Sequence, residues 1–374
     1  MAKSLKLNTN IIECVYSTTT REMTEPRVSY KISFPDSQSL NNNNDHTNKN
    51  LQNRMHIILC YKKQSSNEDS GLHVGGWIKQ SLGNALMEHP IAAGRIRRSE
   101  NGGLEILSND SGVRCVEARV SLSLIEFLQS EEKNDVETKL VYWNHVDETN
   151  PLFSPLFYVQ VTNFQCGGYS IGISFSLLLA DPLFMAKFLN SWAKIHRSMA
   201  NEIEVPRTSF FHSPDFNMMG CSSLESATSS ISNISKKIPK TMIFNISTSE
   251  KLDSKDEMCK YFVQLCLEEA AKSKFGSNMI SIFTLITKEP NGDVKVENLS
   301  KQDISESQKW KYELSSLTWE DLGINEVVFH KGIELVDASY WIASDALEGM
   351  VLVVISLLGE GKSGFKIYIT VSSD

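Results

Sequence analysis

Apolar residues recur along this chain in two rhythms, one of period two and one of period 3.6. The stretch "LFYVQVTNFQCGGYSIGISFSLLLA" reads as two strands around a turn at Gln165-Cys166-Gly167-Gly168. Beyond it, Phe184, Phe188, Trp192 and Ile195 fall on one stripe of a helix. Asp181 is suited to cap that helix and Pro182 to its first position. An earlier helix carries Ile78, Leu82, Ala85 and Leu86, and His89-Pro90 closes it. "MHIILCYKK", "IAAGRIRRS" and "GGLEILSNDSGVRCVEARV" read as strands, and "SLIEFLQSEE" as a short acidic helix.

The second half repeats the mixture. "TMIFNIS", "MISIFTLIT", "EVVFHKGIELV", "GMVLVVISLL" and "GFKIYITVS" read as strands. "DEMCKYFVQLCLEEAAKSKF" reads as a helix with Tyr261, Phe262, Leu265, Cys266 and Ala270 on or near one face. In the last strand Phe365, Ile367, Ile369 and Val371 alternate with Lys366, Tyr368 and Thr370, which predicts one buried face. "GDVKVENLSKQDISESQKWKYE" is polar and has no clear period.

Two stretches interrupt these rhythms. Ser39–Asn50 is an Asn-rich polar loop, and residues 205–238 are Ser-rich without periodicity. A chain of 374 residues exceeds what one core normally serves. The expectation is therefore an α/β fold of two similar mixed-sheet domains with packed helices. These would span residues 1–204 and 239–374, with 205–238 as the linker.

Charge and cysteines narrow the classes. With 37 Lys and Arg against 45 Asp and Glu, the net charge is −8. The densest basic run is only "GRIRR", so nucleic acid is not an expected partner. Seven cysteines without C-x-x-C spacing argue against a disulfide framework or a zinc site, and for a reducing compartment. The N-terminus lacks a long apolar core, so no signal peptide is expected. "MVLVVISLL" is too short to span a bilayer and reads as a buried strand. Membrane association would then run through a partner or a surface.

"HPIAAGRIRR", "NDSGVRCVEARV", "FSPLFYVQVTNFQCGGYSIGISFSLLLAD" and "DPLFMAKFLNSWAKIH" follow one another between about residues 50 and 200. Together they resemble the plant BAHD acyltransferase family, and within it the eceriferum-type clade of wax-pathway proteins. The resemblance implies the two-domain CoA-dependent acyltransferase fold and an acyl-CoA donor. The C-terminal half is shortened between Thr287 and Trp319, where the family's Y-x-G-N segment has no clear match. The clade is understood to assist condensing enzymes of very-long-chain fatty acid elongation.

The departures from the family matter more than the likeness. Its H-x-x-x-D-G motif falls on Ser176-Leu177-Leu178-Leu179-Ala180-Asp181-Pro182, with Leu177 at the histidine and Pro182 at the glycine. That histidine is the general base, a role worth about 10²–10⁴-fold in rate. Leucine has no lone pair to accept a proton. Ser174 and Ser176 lie close by, yet no activating base stands near them in sequence. Asp181 is accounted for as a helix cap, and Pro182 stiffens the entrance. The family's D-F-G-W-G motif matches Val328, Phe329, His330, Lys331 and Gly332, keeping only Phe329 and Gly332. Loss of that brace near the CoA entrance argues for altered or absent CoA binding.

The isolated histidines read more blandly. His330 lacks a named orienting partner, and His145 sits near Asp147 and Glu148 as a loop ion pair. Three classes follow: a non-catalytic accessory protein, an atypical transferase or lyase that works by positioning substrate, or a decaying relative. The accessory reading is favoured. It expects no catalytic residue, metal or resident cofactor, a monomer by itself, and a membrane-bound condensing enzyme as partner. Its expected place is the cytosol or the cytosolic face of the endoplasmic reticulum.

Overall fold

The chain alternates strands and helices over both halves, as its two periodicities require. The computed structural model describes residues 7–16, 28–34, 49–63, 71–202, 239–250, 255–272, 281–303, 310–329, 333–345, 349–359 and 362–371. In the first half the strands are β1 (Leu7–Val15), β2 (Ser29–Ser33), β3 (Arg54–Lys63), β4 (Arg95–Arg98), β5 (Leu104–Leu107), β6 (Val113–Val120), β7 (Phe157–Asn163) and β8 (Tyr169–Ser176). The second half adds β9 (Lys240–Thr248), β10 (Ile282–Lys288), β11 (Val294–Ser300), β12 (Glu313–Leu317), β13 (Ile333–Ala343), β14 (Gly349–Gly359) and β15 (Lys362–Val371). Helices are α1 (Gly71–Glu88), α2 (Leu124–Leu128), α3 (Lys133–Glu137), α4 (Pro182–Glu202) and α5 (Lys255–Lys272). The short α2 carries a capping box, in which Ser123 and Glu126 each bond the other's backbone N–H.

The strands build two mixed sheets, ordered β1-β6-β7-β8-β3-β13 and β12-β9-β15-β14-β10-β11-β2-β5-β4. This is the α/β architecture expected, but the sheets exchange strands. β13 leaves the second half to pair antiparallel with β3. β2, β5 and β4 extend the second sheet through a parallel contact between β2 and β11. A division into 1–204 and 239–374 therefore does not coincide with the sheets. Strand pattern records which face is buried and does not record which strand is the neighbour. The Ser-rich linker, 205–238, lies outside the described residues.

The largest core cluster belongs to both sheets. It unites Ile57, Phe157 and Ile173 of the first with Ile243, Ile286, Leu352 and Tyr368 of the second, and takes in Phe188 and Trp192 of α4. A second cluster lies between α5 and the second sheet, with Phe262, Cys266, Val353 and Phe365. A third lies under α2 and α3, with Ile58, Phe127 and Leu140.

Three expectations are corrected here. β15 is buried on both faces: Phe365, Ile367 and Ile369 face α5, while Tyr368 joins the core between the sheets. The aperiodic stretch after Gly292 holds the strand β11 and ends where β12 begins, at Glu313. "EVVFHKGIELV" is not one strand, because Val327–Phe329 is irregular and β13 starts at Ile333.

β8 is buried along its whole length, and Gly172 explains how closely it is covered. A Cβ placed there would sit 1.9 Å from the carbonyl oxygen of Leu140. Backbone offers no rotamer that could yield. Gly172→Ala is expected to cost about 3 kcal/mol of stability, read as a lower urea midpoint. An unchanged midpoint would mean that the Leu140 segment is not seated on β8.

Candidate functional site

The site to test is the loop that leaves β8. Ser176 N donates to Leu156 O at 2.9 Å, and Leu177 N donates to Asn53 O at 2.9 Å. Ser176 Oγ accepts from Leu178 N at 3.2 Å, and Ser176 O accepts from Ala180 N at 3.1 Å. These bonds pair Leu177 N, Leu178 N and Ala180 N of the turn, partly with segments remote in the chain. Asp181 Oδ1 then accepts from Leu183 N and Phe184 N, both at 2.9 Å, and Pro182 opens α4. Asp181 is the helix cap that the sequence predicts.

Leu177 and Leu178 are 0 % exposed. Both belong to the core cluster shared by the two sheets. The position where the resemblance requires a base is therefore a packed apolar joint. Ser176 spends its hydroxyl on the turn.

Two partners escaped sequence reasoning because they are remote in the chain. The first is His56, which faces Ser174 across the β3–β8 pairing. Its Nδ1 and Ser174 Oγ share a hydrogen bond of 2.7 Å. Ser174 thus has a potential base in the fold, 118 residues away, where none stands near it in sequence. Both residues are enclosed, at 5 % and 1 % exposure. Desolvation, followed by the nearby Arg54 charge, lowers the His56 pKa well below its ordinary value. His56 also lies beside Trp341, with ring centroids 5.0 Å apart. The pair satisfies two buried polar groups.

The second is Lys288, the last residue of β10. It is buried, and its Nζ donates to Leu178 O at 2.8 Å, inside the loop after β8. It ties the second sheet to the turn that ends β8. Burial lowers its pKa to about 8, against a smaller opposing pull from Asp181.

The second motif keeps a bracing role through other atoms. Val327 O accepts from Tyr61 Oη at 2.9 Å, and Val328 O accepts from Arg197. Phe329 packs edge-on against Trp192 at 4.8 Å and His196 at 5.6 Å. Trp192 Nε1 donates to Ser81 Oγ at 2.9 Å, which joins α4 to α1. His330 and Gly332 lie outside the described residues. His145 pairs with Asp345 at 3.4 Å, while Asp147 binds Thr149 and Asn150. The expected loop pair of His145 with Asp147 or Glu148 is thereby corrected, since the nearest acid comes from beyond β13.

Lys288 gives a pH signature. Its folded pKa of about 8 lies below the ordinary 10.5. Between these values the unfolded chain binds more protons, so the contribution of Lys288 to stability grows as pH rises through that window. Relative to Lys288→Met, the wild type should gain about 3 kcal/mol between about pH 7 and pH 10.5. Denaturant titrations across that range measure the gap. Parallel curves would show that Lys288 is solvated.

"Protein ECERIFERUM 26-like" of Arabidopsis thaliana is 35% identical over 132 residues, 35% of this chain and 30% of the relative. "Omega-hydroxypalmitate O-feruloyl transferase" of the same plant is 33% identical over 144 residues, 38% of this chain and 30% of the relative. The chain thus spans under a third of the length of either relative in these matches. The crystal structure of vinorine synthase overlays 99% of this chain and 95% of its own, at 15% identity and a TM-score of 0.49. The family model described as "Transferase family" matches residues 35–262. The chain therefore belongs to this transferase family, the BAHD acyltransferases.

Proposed function

We propose that this chain is a non-catalytic accessory protein of very-long-chain fatty acid elongation and wax formation. The carrying observation is Leu177, buried in the joint between the sheets where the family's base would stand. A proton acceptor is missing there, and the packing leaves no solvent at the position. The likeness to the ECERIFERUM protein supports the accessory role, and the hydroxypalmitate transferase supports a long-chain acyl connection. The partner in this reading is a membrane-bound condensing enzyme at the cytosolic face of the endoplasmic reticulum. No helix among the described residues is long and apolar enough to cross a membrane, so attachment would run through that partner.

One observation favours a second reading. Lys288 brings an amine to the same loop, and an atypical transferase or lyase could use it for proton transfer. Turnover separates the two. Purified protein with long-chain acyl-CoA and a panel of alcohols and amines should release no CoA above the blank. Leu177→His should also stay inactive, because the new imidazole would be enclosed. A condensing enzyme should copurify with the tagged chain from plant membranes. Turnover by the wild type would overturn the accessory role, as would repeated purification without any elongation enzyme.

A further inference from the structure

Phe153 stands on the surface of the loop that leads into β7. At 76 % exposure it is the most open large apolar side chain among the described residues, and Leu152 beside it is 38 % exposed. A lone apolar residue on a surface is ordinary, but this one is held out by a fixed backbone. Gln52 grips Val146 on both sides, accepting from its N–H at 2.9 Å and donating to its carbonyl at 3.0 Å. Asp147 Oδ1 accepts from Thr149 N at 2.9 Å and from Asn150 N at 3.2 Å. Asp147 N donates to Ser154 Oγ at 2.8 Å. A 3₁₀ turn over Pro151–Phe153 follows, and Ser154 N donates back to Pro151 O at 3.1 Å. Pro151, Ser154 and Leu156 are buried. The chain on either side of Phe153 is thus anchored while its ring stands in solvent.

A cation stands beside this ring. The 3₁₀ turn packs against β4, whose last residue, Arg98, is exposed. Arg98 Nη2 donates to Glu148 O at 3.3 Å, a neutral carbonyl, and Arg98 enters no ion pair among the described residues. Its neighbour Arg97 is by contrast paired with Glu105. An aromatic ring, a leucine and an unpaired guanidinium therefore share one small projecting patch. Aromatic side chains and Arg are the types enriched where proteins meet. An anchor already fixed in its docked conformation also loses little entropy on binding.

We propose that Phe153, Leu152 and Arg98 form the surface by which this chain holds its protein partner. The inference rests on the accessory reading and names the contact that reading needs. The occupant is a face of the condensing enzyme that offers an apolar pocket to the Phe153 ring and a carboxylate at its rim to Arg98. The charges select this occupant. Asp147 is exposed and Glu148 half-buried on the same loop, so the patch lacks the basic excess that draws a protein to an anionic bilayer. A second copy would set one projecting ring against another and Arg98 against Arg98. A protein pocket with an acidic rim meets both the ring and the guanidinium.

The test is the amount of condensing enzyme that copurifies with the tagged full chain from plant membranes. Phe153→Ala should lower it at least about tenfold, as loss of an interface anchor does. Arg98→Ala should lower it a few-fold. Both side chains are exposed, so the urea midpoints of the two variants should match the wild type. Ile125→Ala is the control. Ile125 is 57 % exposed on α2, which is tied to the β7–β8 turn at the other end of β7. That variant should retain the enzyme at the wild-type level, and an equal loss there would overturn the proposal. Equal retention by wild type and Phe153→Ala would overturn this surface and leave the accessory role standing. A wild type that retains no condensing enzyme would overturn both. Sedimentation with phosphatidylserine vesicles that depends on Phe153 would give the ring another occupant and overturn the assignment, as would a dimer that depends on it.

Discussion

One turn of chain, from Leu177 to Asp181, buries four apolar side chains and pairs its backbone at Leu177 N, Leu178 N, Leu178 O and Ala180 N. Asn53, Ser176, Leu156 and Lys288 supply the partners, and they come from both sheets. An unpaired N–H or C=O in this core would cost about as much as a lost hydrogen bond, roughly 1–3 kcal/mol. The turn is therefore a fastening between the sheets as well as the start of α4.

Exchanged strands join the two halves as well. β13 crosses into the first sheet, and β2, β4 and β5 cross into the second. The segment Val327–Phe329 locks onto Tyr61, Trp192 and Arg197 on its way to β13. In this chain Leu177 makes the junction continuous apolar core, with the buried amine of Lys288 bonded to Leu178 O.

Much of this was legible from local pattern. The β7–β8 hairpin, the Asp181-Pro182 helix start and the Phe188–Trp192 stripe all rest on residues within a turn or two of each other. What stayed hidden depends on distant partners. Tyr368 reads as a solvent-facing alternate in "GFKIYITV", yet its ring packs between the sheets because β15 is central. β11 and β12 carry Lys, Glu and Ser, and they become strands by pairing with β10 and β9. His56 lies 118 residues from Ser174, and Lys288 lies 110 from Leu178. No spacing rule links such positions. The resemblance alone sets Leu177 at the place of a base, and only the structure shows it buried.

The central claim is that the family's base position has become core. Equilibrium unfolding of Leu177→Ala in guanidinium tests it most directly. A fully packed leucine predicts a loss of about 2–5 kcal/mol, with the lost transfer free energy and the cavity both contributing. A loss under about 0.5 kcal/mol, the range of surface substitutions, would contradict the account. It would mean that Leu177 lines an open site.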